Sequence, residues 1–178
     1  MNHADHVALL RDGVEGGGAV WADLGSGTGA FTLALADLLG LGGVIHSVDR
    51  DRAALRTQAE AMTRRFPVIE LHQLTADFTT RLALPSLDGV VMANSLHFVR
   101  DKGPVLALVR GYLRRGGRLV LVEYGADRGN PWVPHPVSFA TWRQVAGAAG
   151  FEETRLLGSV PSRFLGSIYS AVSVRLAD

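Results

Sequence analysis

Val20-Trp21-Ala22-Asp23-Leu24-Gly25-Ser26-Gly27-Thr28-Gly29 is the stretch on which the fold turns. The apolar run Ala19 to Leu24 reads as a strand and enters three alternating glycines. Phe31, Leu35, Leu38 and Leu39 then fall on one helical face. Strand, glycine turn and helix in that order form half of a β-α-β unit. Glycines let the chain turn tightly and let a ligand approach the backbone. The helix start offers unpaired N–H groups and the positive end of a dipole. The physics points to a ligand with an anionic group lying across this turn.

Outward from the glycines the alternation continues. Val44 to Val48 reads as a strand ending at Asp49, and Leu55, Ala59, Met62 and Phe66 repeat at helical spacing. Val68 to Leu74 reads as the third strand, with Asp77 beyond it, and Leu87 to Ala93 as the fourth. Asp101 is placed to cap a helix running to Arg114-Arg115-Gly116-Gly117, with cations in its last turn. Arg118 to Tyr124 is the fifth strand. Ser138 caps a helix carrying Trp142, Val145 and Ala149, which Gly150 closes. Glu153 to Val160 and Ile168 to Leu176 are joined only by the loop Pro161 to Ser167. That connection is too short for a parallel crossover, so the pair is expected to be antiparallel. The expected fold is α/β: a Rossmann-like, doubly wound, mostly parallel sheet of seven strands, the last antiparallel, with helices on both faces. The chain reads as one domain over 1–178, with a helical extension at 1–18 and the core at 19–176.

Asp23 bears on the ligand. A dinucleotide site of the looser G-x-G-x-x-G/A form would use Gly25, Gly27 and Ala30. A carboxylate two residues before Gly25 would repel a pyrophosphate, yet it suits a ligand carrying an ammonium and a sulfonium. A purely structural turn remains the simplest alternative.

Asp23-Leu24-Gly25-Ser26-Gly27-Thr28-Gly29 resembles the first motif of the class I S-adenosylmethionine-dependent methyltransferases. Further landmarks of that family follow in order. Asp49 resembles its ribose-binding acid, with Arg50 beside it. Ala76-Asp77-Phe78 resembles its adenine-binding segment. Val90 to His97, with Asn94 and Ser95, resembles its fourth-strand motif, which ends beside the methyl donor. Gly116-Gly117 leads the fifth strand, and Ala149-Gly150-Phe151 resembles the turn before the sixth. The likeness spans about residues 19 to 176. It implies S-adenosyl-L-methionine as cofactor, S-adenosyl-L-homocysteine as product and no metal. The residues it assigns to the cofactor are Asp23, Gly25, Ser26, Gly27, Thr28, Gly29, Asp49, Arg50, Asp77, Phe78, Asn94 and Ser95.

Methyl transfer from a sulfonium is an in-line displacement that needs alignment and exclusion of water. It needs a base only when the nucleophile must lose a proton. His97, just beyond the fourth strand, is the candidate base. Glu123-Tyr124 and the proline-rich loop Asn130-Pro131-Trp132-Val133-Pro134-His135-Pro136 emerge at the same sheet edge. Tyr124, Trp132 and His135, together with His97, are expected to wall the substrate pocket.

Composition narrows the classes. Hydrophobic residues make up 47% of the 178 and charged residues 20%, as in an ordinary globular protein. A net charge of +1 does not point to nucleic acid. The chain has no cysteine, which removes disulfides, thiolate metal sites and a thiol nucleophile. His3, His6, His46 and His72 form no metal-like set, and Arg64-Arg65 and Arg114-Arg115 read as helix-end or solvated cations. The N-terminus lacks the pattern of a signal peptide and no apolar run is long enough for a membrane span, so a cytoplasmic enzyme is expected. Some eighteen residues precede the first strand, and Val7, Leu10 and Val14 suggest a single short helix there. The pocket is then open, or completed by the loop after the fifth strand or by a second copy of the chain. A small organic substrate is the leading expectation, and an open site also admits protein or RNA. The alternatives are an NAD(P)-dependent oxidoreductase and a non-catalytic module that binds S-adenosylmethionine.

Overall fold

The computed structural model describes residues 1–15 and 17–176. In chain order the elements are α1 His3–Leu10, β1 Val20–Leu24, α2 Ala30–Leu39, β2 Val44–Asp49, α3 Arg52–Arg65, β3 Glu70–Thr75 and β4 Leu87–Ala93. A 3₁₀ turn at Leu96–Phe98 is followed by α4 Gly103–Tyr112, β5 Leu113–Tyr124, α5 Phe139–Ala148, β6 Glu152–Ser162 and β7 Gly166–Val174. One seven-stranded sheet runs in the order β3-β2-β1-β4-β5-β7-β6. The first five strands pair in parallel, and β7 lies antiparallel to both β5 and β6. The fold class and the reversed last strand agree with the reading of the sequence.

Two apolar layers hold the sheet. Trp21, Ile45, Val91, Val120 and Val122 pack with Leu9 and Leu10 of α1, Leu35 of α2 and Met62 of α3 on one face. On the other, Ala22, Val90, Met92 and Leu121 pack with Leu106 and Val109 of α4 and Trp142 of α5. Alternate residues of β1 and β4 therefore serve opposite layers. This is why these strands read as continuous apolar runs rather than as alternating ones.

Two local readings change. Arg114 and Arg115 do not close α4: its C-cap, Leu113, is already extended, and both arginines begin β5. Arg114 pairs there with Asp88 at 2.5 Å, and an ion pair across two strands outcompetes a helix-end role. Asp101 accepts from the Gly103 N–H at 3.1 Å, but the N-cap position itself is Lys102. Between β3 and β4 there is no helix. Residues 76–86 are irregular and still apolar enough to dock Ala76, Phe78, Leu82 and Leu84 on the core. Tyr112 accepts the Leu82 N–H at its hydroxyl, 2.8 Å, and so fixes this segment. α3 ends on Arg64 and Arg65, where cations favour the helix dipole. No helix among the described residues is long and apolar enough to cross a membrane.

Candidate active site

The strand order reverses between β1 and β4, which run parallel side by side with β2 and β5 outside them. Such a switch point opens a crevice beyond the strand C-termini. The crevice here is a cleft of about 190 Å³. Gly25, Asn94, Ser95 and Phe98 line it from β1 and β4, and Asp49, Arg50 and Phe78 from the β2 and β3 side. A larger groove, about 630 Å³, lies between α4 and α5 among residues such as Ala107, Val137 and Val145. It touches neither the glycine turn nor the switch point, so chemistry, not size, selects the smaller cleft.

Gly25 is required at its position twice over. Its φ is +81°, and an added Cβ would stand 2.4 Å from the Ser95 Cβ. Ser95 comes this close because its hydroxyl donates to the Leu24 carbonyl at 2.7 Å, closing β1 against β4. Gly29, with φ +92°, starts α2 without a side-chain cap, and a Cβ there would meet the Gln58 side chain at 2.5 Å.

Beneath the turn lies a buried polar chain. Ser47 donates to Gln58 Oε1 at 2.7 Å, so the Ser26–Ser47 contact of 2.7 Å must have Ser26 as donor. Gln58 Nε2 donates to Thr32 Oγ1 at 2.9 Å, and Thr32 donates to Asp23 Oδ2 at 2.6 Å. Gln73 adds a second donor to Gln58 Oε1. Every bond points the same way and ends on the Asp23 carboxylate. Asp23 is fully buried, and that burial, offset in part by the Thr32 hydrogen bond, pushes it up to about 7. The network locks the glycine turn to β2 and α3, and it leaves one buried acid poised to ionise near neutral pH.

Asp49 holds the turn from above. Its Oδ2 accepts the Gly27 N–H at 2.7 Å and its Oδ1 the Asp51 N–H at 2.8 Å, which leaves lone pairs free on both oxygens. Asp51 caps α3 by accepting from Ala53 and Ala54. Arg50 approaches Asp77 at 3.6 Å, and the Thr79 hydroxyl and N–H hold Asp77 below the usual carboxylate range. Phe78 presents its ring to the cleft beside Gly25. Asn94 sits in the left-handed region at φ +52°, and its Oδ1 is buried without a hydrogen-bond partner. A buried acceptor without a donor implies a ligand or water that supplies one. Thr28 lies exposed on the turn.

His97 and Glu123 form the other half. Glu123 is fully buried at the end of β5. It accepts the His97 N–H at 3.0 Å, His97 Nδ1 at 2.9 Å and the Tyr124 N–H at 2.8 Å. With Nδ1 as the donor, Nε2 carries the lone pair. The Tyr124 ring stands 5.7 Å from the imidazole, and the Phe98 ring stands 4.3 Å from it. Burial raises Tyr124 above the usual phenol range, with the Glu123 charge adding to it.

The loop after β5 is fastened to this pair. His135 N–H donates to the His97 carbonyl at 3.0 Å, and Lys102 Nζ donates to the carbonyls of Val99 and His135 at 3.0 and 2.9 Å. Trp132, by contrast, is 72% exposed, while its neighbour Val133 is buried. The structure thus gathers Gly25, Asp49, Arg50, Phe78, Asn94 and Ser95 at the cleft and sets Asp23 and Ser26 in the layer below. His97, Tyr124 and His135, expected to wall a substrate pocket, do not line the cleft, and Trp132 is out in solvent. The sequence reading does not find Thr32, Ser47, Gln58, Gln73 or Glu123 as site supports. Only Glu123 carried a signal, an acid closing an apolar strand. Among the described residues no group of three or more His, Asp or Glu side chains is placed to hold a metal.

Residues 22–119, more than half the chain, match the family model described as a methyltransferase domain. No curated protein sequence matches the chain significantly. Among solved structures it resembles an S-adenosylmethionine-dependent methyltransferase from Aquifex aeolicus. The identity is 17% and the TM-score 0.75, over 97% of this chain and 90% of that one. It also resembles a Burkholderia thailandensis 1,6-didemethyltoxoflavin-N1-methyltransferase solved with its substrate and S-adenosylhomocysteine: 17% identity, TM-score 0.78, 99% of this chain and 79% of that one. A magnesium protoporphyrin IX methyltransferase from Synechocystis, solved with S-adenosylmethionine, is similar at 21% identity and TM-score 0.72, over 97% and 77% of the two chains.

Proposed function

The chain belongs to the class I S-adenosylmethionine-dependent methyltransferase family, and from that premise we propose that it methylates a small organic acceptor with His97 as the base. The observation that carries the reading is the buried His97–Glu123 pair, whose imidazole packs 4.3 Å from Phe98, a residue that lines the cleft. The lone pair of Nε2 stands free of hydrogen-bond partners among the described residues.

The side chains around the cleft fit the cofactor. Asn94 Oδ1, buried and unpartnered, suits a donor such as the amino-acid ammonium. The uncapped start of α2 and the glycine turn suit its carboxylate. Asp49, with free lone pairs on both oxygens, suits the ribose hydroxyls. Phe78 offers the adenine a ring face, and Asp77 and Arg50 flank it. The ionisable Asp23 beneath the turn favours a positively charged ligand over a pyrophosphate. When bound, S-adenosylmethionine supplies a methyl group already activated by positive sulfur.

The protein's own work is then alignment and one proton. Glu123 holds the imidazole in the tautomer that accepts at Nε2, and Nε2 takes the proton from the acceptor atom as that atom takes the methyl group and the methyl's bond to sulfur breaks. Two relatives of the same fold act on small conjugated molecules by their descriptions, a toxoflavin precursor and a magnesium porphyrin, which supports the acceptor class.

Thermal unfolding with added ligands tests the first step. S-adenosylmethionine or S-adenosylhomocysteine at a hundred times Kd is expected to stabilise the fold by about 2.7 kcal/mol, and NAD(H) is expected to do nothing. Stabilisation by NAD(H) alone would reverse the assignment. Transfer of labelled methyl into a metabolite extract tests the second step. Label appearing only in protein or RNA would replace the small acceptor with a macromolecule.

A further inference from the structure

Four rings follow one another along the C-terminal edge of the sheet. Phe98 lies 4.3 Å from His97, His97 lies 5.7 Å from Tyr124, and Tyr124 meets Phe164 edge-on at 6.4 Å and 82°. The inner two are buried, at 3% and 9% exposure, and the outer two are open to solvent, at 61% and 62%. Phe98 also lines the cofactor cleft. Phe164 comes from far along the chain, in the turn between β6 and β7. The turn reaches the site because β7 pairs with β5 up to Tyr124, and because the Gly125 N–H continues the ladder to the Ser167 carbonyl at 2.9 Å.

Resting on the methyl-transfer reading above, we propose that Phe98 and Phe164 are the two jaws of the acceptor site. We infer that the acceptor is a flat conjugated ring system carrying an O–H or N–H that meets His97 Nε2. Solvated phenyl rings at both ends of a packed aromatic run cost hydrophobic free energy until a ligand covers them. The edge-on packing of Phe164 on Tyr124 continues naturally with a further flat ring. The inner pair supplies the polar contact: Nε2 accepts a proton, and the Tyr124 ring packs 5.7 Å away, its backbone N–H tied to Glu123. An aliphatic acceptor of equal acidity would satisfy Nε2 but leave both jaws wet. The hairpin tip thereby takes the role of a lid on the acceptor side of the cleft.

The test uses the full chain with S-adenosylmethionine and two matched sets of probes. One set holds flat hydroxylated or N–H heteroaromatics such as hydroxyquinolines and pteridines, and the other holds aliphatic alcohols and amines. Saturation-transfer NMR on the protein loaded with S-adenosylhomocysteine reports contact even where turnover is slow. Flat probes are expected to bind the native chain. Phe164→Ala is expected to raise their KM or Kd about tenfold while kcat holds, and Phe164→Trp is expected to restore it. Phe164 is exposed at a turn, so the variant should keep its melting temperature and its stabilisation by S-adenosylhomocysteine. Equal binding of flat and aliphatic probes, an unchanged constant in Phe164→Ala, or no contact with any flat probe would overturn the proposal. In each of those cases the cofactor-dependent stabilisation stays intact, so the methyl-transfer reading survives. Loss of that stabilisation in the native chain would remove the reading itself.

Discussion

The donor half of the site and the acceptor half are built on opposite plans. Around β1, α2 and α3, the side chains of Ser26, Ser47, Gln58, Thr32 and Asp23 form one directed chain of hydrogen bonds, with every link at 2.9 Å or less. Around the ends of β4 and β5, the buried, hydrogen-bonded pair of His97 with Glu123 is flanked by an exposed Phe98, an exposed Phe164 and a lone acceptor on Asn94. A polar network that is fully satisfied is rigid, and a partly satisfied one waits for a ligand to finish it. The donor half is preorganised for a ligand whose shape does not vary. In the acceptor half, the chemistry is fixed at one imidazole and recognition is left to surface rings.

The comparison breaks most severely at His97. His97→Ala is expected to lower kcat by roughly 10²–10⁴-fold while cofactor-induced stabilisation stays as in the native chain. Glu123→Gln keeps an acceptor for Nδ1 but removes the charge, so a smaller fall is expected together with a displaced pH profile. A merely structural role for Glu123 would lower stability and leave the profile in place. Should His97→Ala abolish cofactor binding, the two halves are one unit and the division above is wrong.

Asp23 sharpens the other side. In the folded chain burial pushes its carboxyl up to about 7, against 3.8 for a free aspartate, so between those limits the folded state holds a proton that the unfolded chain has lost. Stability is therefore greatest at acid pH, falls as pH rises toward 7 and is level above it. The span is on the order of 4 kcal/mol. Asp23→Asn is expected to remove that slope from the ligand-free protein, as measured by urea unfolding between pH 4 and 8. In the native chain, affinity for the positively charged cofactor is expected to rise over the same interval as Asp23 ionises. S-adenosylhomocysteine lacks the sulfonium, so its affinity should rise less. Identical pH dependence for both ligands would mean that Asp23 serves the fold alone.

The two halves also differ in how far the sequence discloses them. The alternation of strands and helices, the reversed β7 and the glycine turn at Gly25 follow from local patterns set by turns close in sequence, and the roles expected of Asp49, Phe78 and Asn94 follow from the family resemblance. Thr32, Ser47 and Gln58 sit on three different elements, each an unremarkable polar residue until packing brings them together. Glu123 pairs with a residue 26 positions away, and Phe164 meets Tyr124 from 40 positions away. Neither separation carries a period that a one-dimensional reading detects. Arg114 and Arg115 show the same limit in reverse. They fit a helix end by every local rule, and the non-local partner Asp88 on β4 draws Arg114 into β5.

The smallest predicted effect tests whether the acceptor half has any framework of its own. Seventeen of the eighteen basic residues are arginine, and the exception, Lys102, is buried. Its compact ammonium reaches two carbonyls at once, Val99 behind the 3₁₀ turn and His135 on the far loop, where a planar guanidinium of Arg would need more room. Burial lowers its basicity, and the Glu123 charge nearby works against that fall. Lys102→Met keeps the aliphatic stem and leaves both carbonyls without a donor. The expected loss is about 1–2 kcal/mol in urea unfolding, with a raised KM for the acceptor and no change in cofactor-induced stabilisation. That split would place Lys102 as the clamp that holds the loop of His135 against His97. An equal loss of cofactor affinity would show instead that the loop supports both halves, and that the open side of the site is less independent than its exposed rings suggest.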